Sequence, residues 1–337
     1  MNGPPGGSPG QQPPPPPPQK TTVLLTGCSE GGIGFALAQE YHRRGCRVIA
    51  TARSPAKMAK LKALGGGTDD DLIMLQLDVT DPASIRAAVQ AVTDLTKDNS
   101  SLDILVNNAG NGYQSSLLDA DLDESRRLFD VNVWGLLAMT QAFAPLLVAS
   151  AAAGRRPRVV NIGSVVGVVP VPWQGIYNAS KHAVAGLNDA MRLEFRPLGI
   201  DVVHVVTGGI KTNFYDNSVG TDALPPNSIY APIGAEIEAS VDRGRATEMQ
   251  GTPVDAYART VVAQTIKSSP PISVWKGQHV HPRLARGAPR LGMGQRQAHR
   301  VPLGDVFAAE QIPGGYVQEA AMSVVLFNCR YIVEICT

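Results

Sequence analysis

The chain is poor in cysteine. Its four residues, Cys28, Cys46, Cys329 and Cys336, form no C-x-x-C pair and show none of the dense spacing of a secreted disulfide scaffold, so a reducing, cytoplasmic setting is expected. Neither sign of charge is in excess. With 30 basic and 29 acidic residues the formal net charge is +1, which gives no electrostatic reason to expect nucleic acid as a partner and points to small molecules instead. Long apolar runs are missing too: the stretch 136–153 carries Thr140, Gln141, Pro145 and Ser150, and the stretch from Ala320 is broken by Asn328, Arg330 and Glu334. Neither offers the roughly 18 uninterrupted apolar residues of a membrane span. Residues 1–19 have no apolar h-region, so no secretory leader is expected. His279 and His281 make an H-x-H with no carboxylate or cysteine cluster beside it, and no metal site is expected.

What is present falls into three textures. Residues 1–20 are a Pro/Gly-rich tail whose proline run favours extended polyproline II and holds nothing that could join a core. From 21 to 277 short β-branched runs alternate with segments of helical period. The predicted strands are 22–26, 47–51, 72–77, 104–108, 158–163, 201–206 and 271–275. Such alternation predicts one doubly wound α/β domain of Rossmann type, with a seven-stranded parallel sheet covered on both faces. Between 213 and 250 the periodicity lapses and prolines, glycines and charges collect, which reads as a substrate lid or as an idle surface insertion. The segment 278–337 turns rich in Gly, Pro and Arg and reads as a divergent, irregular extension.

Chemistry concentrates in YNASK, where Tyr177 and Lys181 are four residues apart and share one helical face. A tyrosine titrates near pH ~10 and is a poor general acid at neutrality. Lowering that value by about three units requires roughly 4 kcal/mol of differential stabilisation, which only a close cation supplies. A Y-x-x-x-K alone is more often a solvated helical pair than a site, so its weight comes from its surroundings. Ser164 lies thirteen residues upstream in NIGS.

The first strand runs into TGCSEGGIGFALA, a glycine-rich turn opening a helix, where Gly27, Gly31, Gly32 and Gly34 would let the backbone approach a pyrophosphate. The second strand ends in IATARS. Thr51 and Ala52 supply no carboxylate for a ribose 2′-hydroxyl, whereas Arg53 can pair with a 2′-phosphate, so NADP(H) is expected over NAD.

These features, with NNAG at 107–110, LDVTD at 77–81 and VNVWG at 131–135, closely resemble the short-chain dehydrogenase/reductase family over residues 21–277. The resemblance implies carbonyl–alcohol oxidoreduction. It makes Tyr177 the proton donor, Ser164 a hydrogen-bond donor to the same carbonyl oxygen, Lys181 the residue that lowers the tyrosine pKa and binds the nicotinamide ribose, and Asn132 the holder of a proton-relay water. It assigns cofactor contacts to Gly27, Ser29, Gly32, Ile33, Gly34, Asp78, Asn108, Ala109, Ile210 and Thr212, besides Arg53, Tyr177 and Lys181. Thr207 stands where the family usually has proline. That replacement, the extra glycine of the first loop and TPVDAYARTVV followed by ISVWKG are similar to the fungal NADPH-dependent 1-acyldihydroxyacetone-phosphate reductases, and related fungal reductases of secondary metabolism share them. A lipid-like or secondary-metabolite substrate is implied. So is a peripheral link to endoplasmic reticulum or lipid droplets, although the apolar C-terminal segment of that branch is lacking. The resemblance further implies a homodimer, paired through the segment near Trp134 and the helix bearing Lys181. Lys211, Arg243 and Arg245 read either as phosphate contacts or as solvated charges.

Two other readings stay open. Gly27-Cys28-Ser29-Glu30-Gly31 matches the G-x-S-x-G elbow of a lipase or esterase, with His182 and His204 as candidate bases. A catalytically silent nucleotide-binding protein is the other.

Overall fold

In the computed structural model the described residues are 20–64, 71–96, 101–218, 220, 224–278 and 280. The tail 1–19, His279, His281, Cys329, Cys336 and nearly all of the 278–337 extension lie outside them.

Seven strands form one parallel sheet: β1 (Thr22–Leu25), β2 (Arg47–Ala52), β3 (Leu72–Gln76), β4 (Ile104–Asn107), β5 (Arg158–Ile162), β6 (Asp201–Thr207) and, past the separate pair β7 (Ile210–Lys211) and β8 (Thr252–Pro253), β9 (Ser273–Lys276). Their order is β3-β2-β1-β4-β5-β6-β9, every pairing parallel. The chain winds outward from β1 to β3, then returns to the other side of β1 with β4. A crevice therefore opens at the carboxyl ends of β1 and β4, where such sheets bind ligands. All seven predicted strands are present, within two residues at each end.

Both faces are covered, so the central strands are apolar throughout rather than alternating. Val23 and Leu25 point into one core with Leu37 and Tyr41 of α1 (Ile33–Arg43) and Val261 of α8 (Val254–Thr265). Leu24 points the other way, into a core with Met139, Phe143 and Leu147 of α5 (Leu136–Ala152) and Val92 of α3 (Pro82–Leu95). Buried polar groups bridge the elements. The Tyr41 hydroxyl meets Thr265 Oγ1 at 2.5 Å, joining α1 to α8. Asn107 Nδ2 donates to Thr140 Oγ1 and Asn161 Oδ1, both at 3.0 Å, and Asn161 Nδ2 to Asn188 Oδ1 at 3.2 Å, which ties β4, β5 and the α6 helix (Gly175–Glu194) together.

Helix α4 (Leu122–Phe129) starts on Asp121, whose Oδ1 accepts the Glu124 N–H at 2.8 Å. It continues through a single π-turn, Asp130–Gly135, into α5. The continuous run Leu122–Ala152 is 31 residues with a window of mean hydropathy 1.5, long and apolar enough to cross a membrane by length and composition. Its α5 half buries Met139, Phe143 and Leu147 completely, as a core helix does.

The segment between 213 and 250 is more regular than its composition suggested. Two 3₁₀ turns, Tyr215–Asn217 and Ala231–Ile233, lead into helix α7 (Gly234–Met249). It has little apolar stripe to reveal it; Ile237 is its one apolar residue buried in the interior among those described. Strands β7 (Ile210–Lys211) and β8 (Thr252–Pro253) pair at its two ends and close the excursion.

Candidate active site

The glycine loop and NNAG are built as one unit. Thr26 Oγ1 accepts the N–H groups of Asn108 (3.0 Å) and Ala109 (2.9 Å), while Asn108 Nδ2 donates to the carbonyls of Thr26 (2.9 Å) and Gly27 (3.0 Å). Gly27 has φ +72, and a Cβ on it would lie 2.9 Å from Ala109 Cα; one on Gly34 would lie 2.4 Å from the Gly27 carbonyl oxygen. The backbones approach too closely for side chains at either position. The extra residues of the loop are braced on the other flank, where the Glu30 N–H donates to the Lys57 carbonyl at 2.8 Å and its carboxylate pairs with Lys60. Helix α1 then opens at Ile33, with Gly32 as N-cap and no side chain capping it. Its first N–H groups and the positive end of the helix dipole face the crevice unclaimed by a cap, which suits a pyrophosphate. Arg53 is exposed just past β2. Asp78 spends Oδ1 on the N–H (2.9 Å) and hydroxyl (2.7 Å) of Thr80.

Asn132, Ser164, Tyr177 and Lys181 are all buried. Ser164 follows β5 and accepts the Val166 N–H at 3.3 Å, starting a 3₁₀ turn. That turn meets α6 through Gly167, where a Cβ would lie 2.7 Å from the Lys181 carbonyl oxygen. On α6 the Lys181 ammonium donates to the Ile162 carbonyl at 3.2 Å and lies 5.8 Å from the centre of the Tyr177 ring. Burial pushes Lys181 down to about 8, which still leaves it cationic at neutral pH beside the phenol. Asn132 sits inside the π-turn. Its side chain accepts the Asn111 N–H at 2.8 Å and donates to the Asn111 carbonyl at 3.0 Å and to Ser180 Oγ at 3.1 Å. Ser180 in turn donates to the Tyr177 carbonyl at 2.8 Å. Gly110 lets Asn132 and Lys181 converge, since a Cβ there would be 3.2 Å from Asn132 Oδ1 and 3.7 Å from Lys181 Nζ.

A cavity of about 720 Å³ adjoins this cluster, lined by Gly31, Thr212, Asn213, Tyr215, Arg245 and Asp255 among others. None of the four buried residues lines it. Phe214 links the two, its ring 5.7 Å from that of Tyr177. Arg245 is no solvated charge: Nε and Nη2 donate to Gln114 Oε1 at 3.1 and 2.5 Å, and the guanidinium lies 5.9 Å from the Tyr215 ring. Lys211 lines the cavity while exposed, and Arg243's side chain is outside the described set.

Residues 21–222 match the model of the short chain dehydrogenase family. The chain belongs to the short-chain dehydrogenase family. This short-chain dehydrogenase is 39% identical over 279 residues to "Short-chain dehydrogenase PC-15" of Penicillium crustosum, covering 80% of this chain and 96% of that one. It is 39% identical over 213 residues to an NADPH-dependent 1-acyldihydroxyacetone phosphate reductase of Schizosaccharomyces pombe, covering 62% and 68%. A solved short-chain dehydrogenase/reductase of Burkholderia phymatum, in complex with NAD, shares its fold at TM-score 0.65 and 22% identity, over 79% of this chain and 91% of that one.

Of the candidate residues in this short-chain dehydrogenase, Gly27, Ser29, Gly32, Ile33, Gly34, Asn108 and Ala109 fall on the joined loops; Ile210 is buried in β7, and Thr212 lines the cavity. Among the described residues, neither candidate base is free to serve a hydrolase elbow. His182 Nδ1 is taken up with the Asn178 carbonyl at 2.9 Å, and His204 lies inside β6 against Gly163, where a Cβ would be 2.1 Å from its Nε2. Burial there pushes His204 down to about 4. Sequence reasoning missed the π-turn, the Asn111–Asn132 exchange and the Arg245–Gln114 contact. None leaves a periodic or compositional trace.

Proposed function

We propose that this oxidoreductase reduces the carbonyl of a lipid-like or secondary-metabolite substrate with NADPH, or oxidises the matching alcohol in reverse. The observation that carries the reading is the convergence of Tyr177, Lys181, Ser164 and Asn132 at the carboxyl edge of the parallel sheet, beside an uncapped helix N-terminus. When bound, the cofactor supplies the hydride. The α1 N-terminus and the glycine loop would hold its pyrophosphate, Arg53 a 2′-phosphate, and Thr212 and Lys181 its nicotinamide end.

Tyr177 gives its phenolic proton to the carbonyl oxygen as negative charge develops there, and Ser164 donates a hydrogen bond to the same oxygen. Lys181, cationic and 5.8 Å from the centre of the Tyr177 ring, stabilises the phenolate left behind. Asn132, locked to Asn111 and Ser180, holds the backbone around Lys181 in place and carries the water that returns a proton. NADPH suits Arg53 and is named for the Schizosaccharomyces pombe relative. Exposed Trp134, at the join of α4 and α5, supports pairing of two copies through these helices and α6.

The test is NADPH oxidation with a panel of lipid, steroid and polyketide ketones. Turnover is expected in the parent and about 10³-fold less or lower in Tyr177→Phe, with NADPH binding retained. Binding without turnover on any ketone, equal in parent and variant, would sink the enzyme reading. Ester cleavage lost in Ser29→Ala but kept in Tyr177→Phe would favour the hydrolase.

A further inference from the structure

Tyr257 is a buried phenol that the reaction does not use. It lies in the first turn of α8, fully buried in the core that also holds Leu37 and Tyr41 of α1. Phenylalanine would fill such a place as well, so the hydroxyl needs its own reason. It meets Thr207 Oγ1 at 2.8 Å, and both residues are buried. Burial raises the Tyr257 pKa well above the ordinary tyrosine value, so the hydroxyl keeps its proton and serves as a hydrogen-bonding group.

Thr207 ends β6 and opens the turn that leads to Thr212. That turn is pinned along its length. The Gly208 N–H donates to the Lys276 carbonyl at 2.9 Å, and Gly209 exchanges both backbone hydrogen bonds with Gln278, each 3.0 Å, while its carbonyl also accepts the Thr252 N–H at 3.1 Å. Ile210 and Lys211 then pair with Thr252 and Pro253. A Cβ on Gly208 would lie 2.0 Å from the Gln278 carbonyl oxygen, so the chain past β9 fits only over glycine there. Past Thr212 the Asn213 N–H donates to the Gly31 carbonyl at 3.3 Å and joins the turn to the glycine loop. The circuit closes: the glycine loop runs into α1, α1 meets α8 through Tyr41 and Thr265, α8 meets the turn through Tyr257 and Thr207, and the turn returns to Gly31. The backbone contacts depend little on sequence, whereas the hydroxyl pair depends on two side chains. Thr207 has no ring to lock its φ as a proline would, so the bond to Tyr257 supplies the constraint where the chain leaves β6.

We infer that Tyr257 is a positioning residue, which through Thr207 sets the turn carrying Thr212 against the nicotinamide end of the cofactor. The inference rests on the NADPH-dependent reading of the crevice. Fully buried, Tyr257 touches neither cofactor nor substrate; it acts from the core side of the turn through the shared hydrogen bond.

The experiment measures binding to the full protein by calorimetry with two probes: NADP⁺, and adenosine 2′,5′-bisphosphate, which is the adenylate half of that cofactor without the nicotinamide. Tyr257→Phe and Thr207→Val each remove one hydroxyl and keep the packing; the double variant removes both, so that neither hydroxyl is left buried alone. NADP⁺ affinity should fall about fivefold in both single variants and in the double variant alike, with bisphosphate affinity within about twofold of the parent throughout. Melting temperature should drop in the single variants and recover in the double one, which separates loss of fold from loss of position. NADP⁺ affinity that stays at the parent value, or that recovers with melting temperature in the double variant, would reduce the pair to a structural contact and overturn the inference. So would an equal loss for both probes. A parent that binds neither probe would overturn the cofactor reading itself, and the inference with it.

Discussion

Replacing Lys181 by methionine should make the protein more stable and catalytically inert. The ammonium is buried, and burial alone holds it near 8 against an ordinary 10.5. Below that folded value the folded state carries a charge it would rather lose, while the unfolded chain carries it in water. The difference of 2.5 units corresponds to a penalty of about 3 kcal/mol at pH 7. Methionine fills the same space without charge, and the change forfeits the hydrogen bond to the Ile162 carbonyl, about 1 kcal/mol. A net gain of about 2 kcal/mol at pH 7 is therefore expected. The sign with pH follows. Between 8 and 10.5 the unfolded chain binds more protons than the folded one, so the lysine form gains stability as pH rises, and by pH 10 the penalty falls below about 1 kcal/mol. Urea unfolding of parent and Lys181→Met at pH 7 and pH 10, without cofactor, measures this. A variant less stable than the parent at pH 7, or a difference unchanged at pH 10, would refute the reasoning.

Three more expectations follow from the geometry. Gly163→Ala puts a methyl 2.1 Å from His204 Nε2 and should cost about 1–3 kcal/mol and lower kcat through the adjoining Ser164; adding His204→Ser should recover most of both, a non-additivity that thermal melts and kinetics can read. His204 stays neutral in the fold because burial holds it near 4, so stability should fall as pH drops from 6.5 toward 4, by up to about 3 kcal/mol, and His204→Gln should flatten that slope in acid denaturation curves. Arg53→Ala should weaken NADPH binding by about tenfold and leave NADH binding unchanged, as measured by fluorescence titration; an equal loss for both would remove Arg53 from 2′-phosphate recognition.

The sheet was legible because burial on both faces leaves the central strands as short apolar runs, rich in Val, Leu and Ile, between turn residues, a signal that needs no tertiary knowledge. The chemistry was legible because it depends on local spacing: Tyr177 and Lys181 one turn apart, glycines before a helix. Helix α7 was hidden because only Ile237 of its apolar residues is seen buried, so no periodic stripe was available to find. The positive φ of Trp173 was invisible for the opposite reason, since the backbone there obeys contacts with Ser115 and Tyr230, far away in sequence. Arg245 looked like a surface charge because Gln114 lies 131 residues from it along the chain.

The π-turn at Asp130–Gly135 makes helix length a functional quantity. Such a turn is an α-helix carrying one residue too many, and each residue of an α-helix turns the chain by about 100°. Removing Val131 would let 122–152 relax into an unbroken and more regular helix, while swinging everything before the deletion around its axis relative to α5. Homologous chains in which this helix is one residue shorter would therefore be expected to hold a tidier fold and a dismantled Asn132–Asn111 exchange. In this region an alignment gap carries more functional information than a substitution.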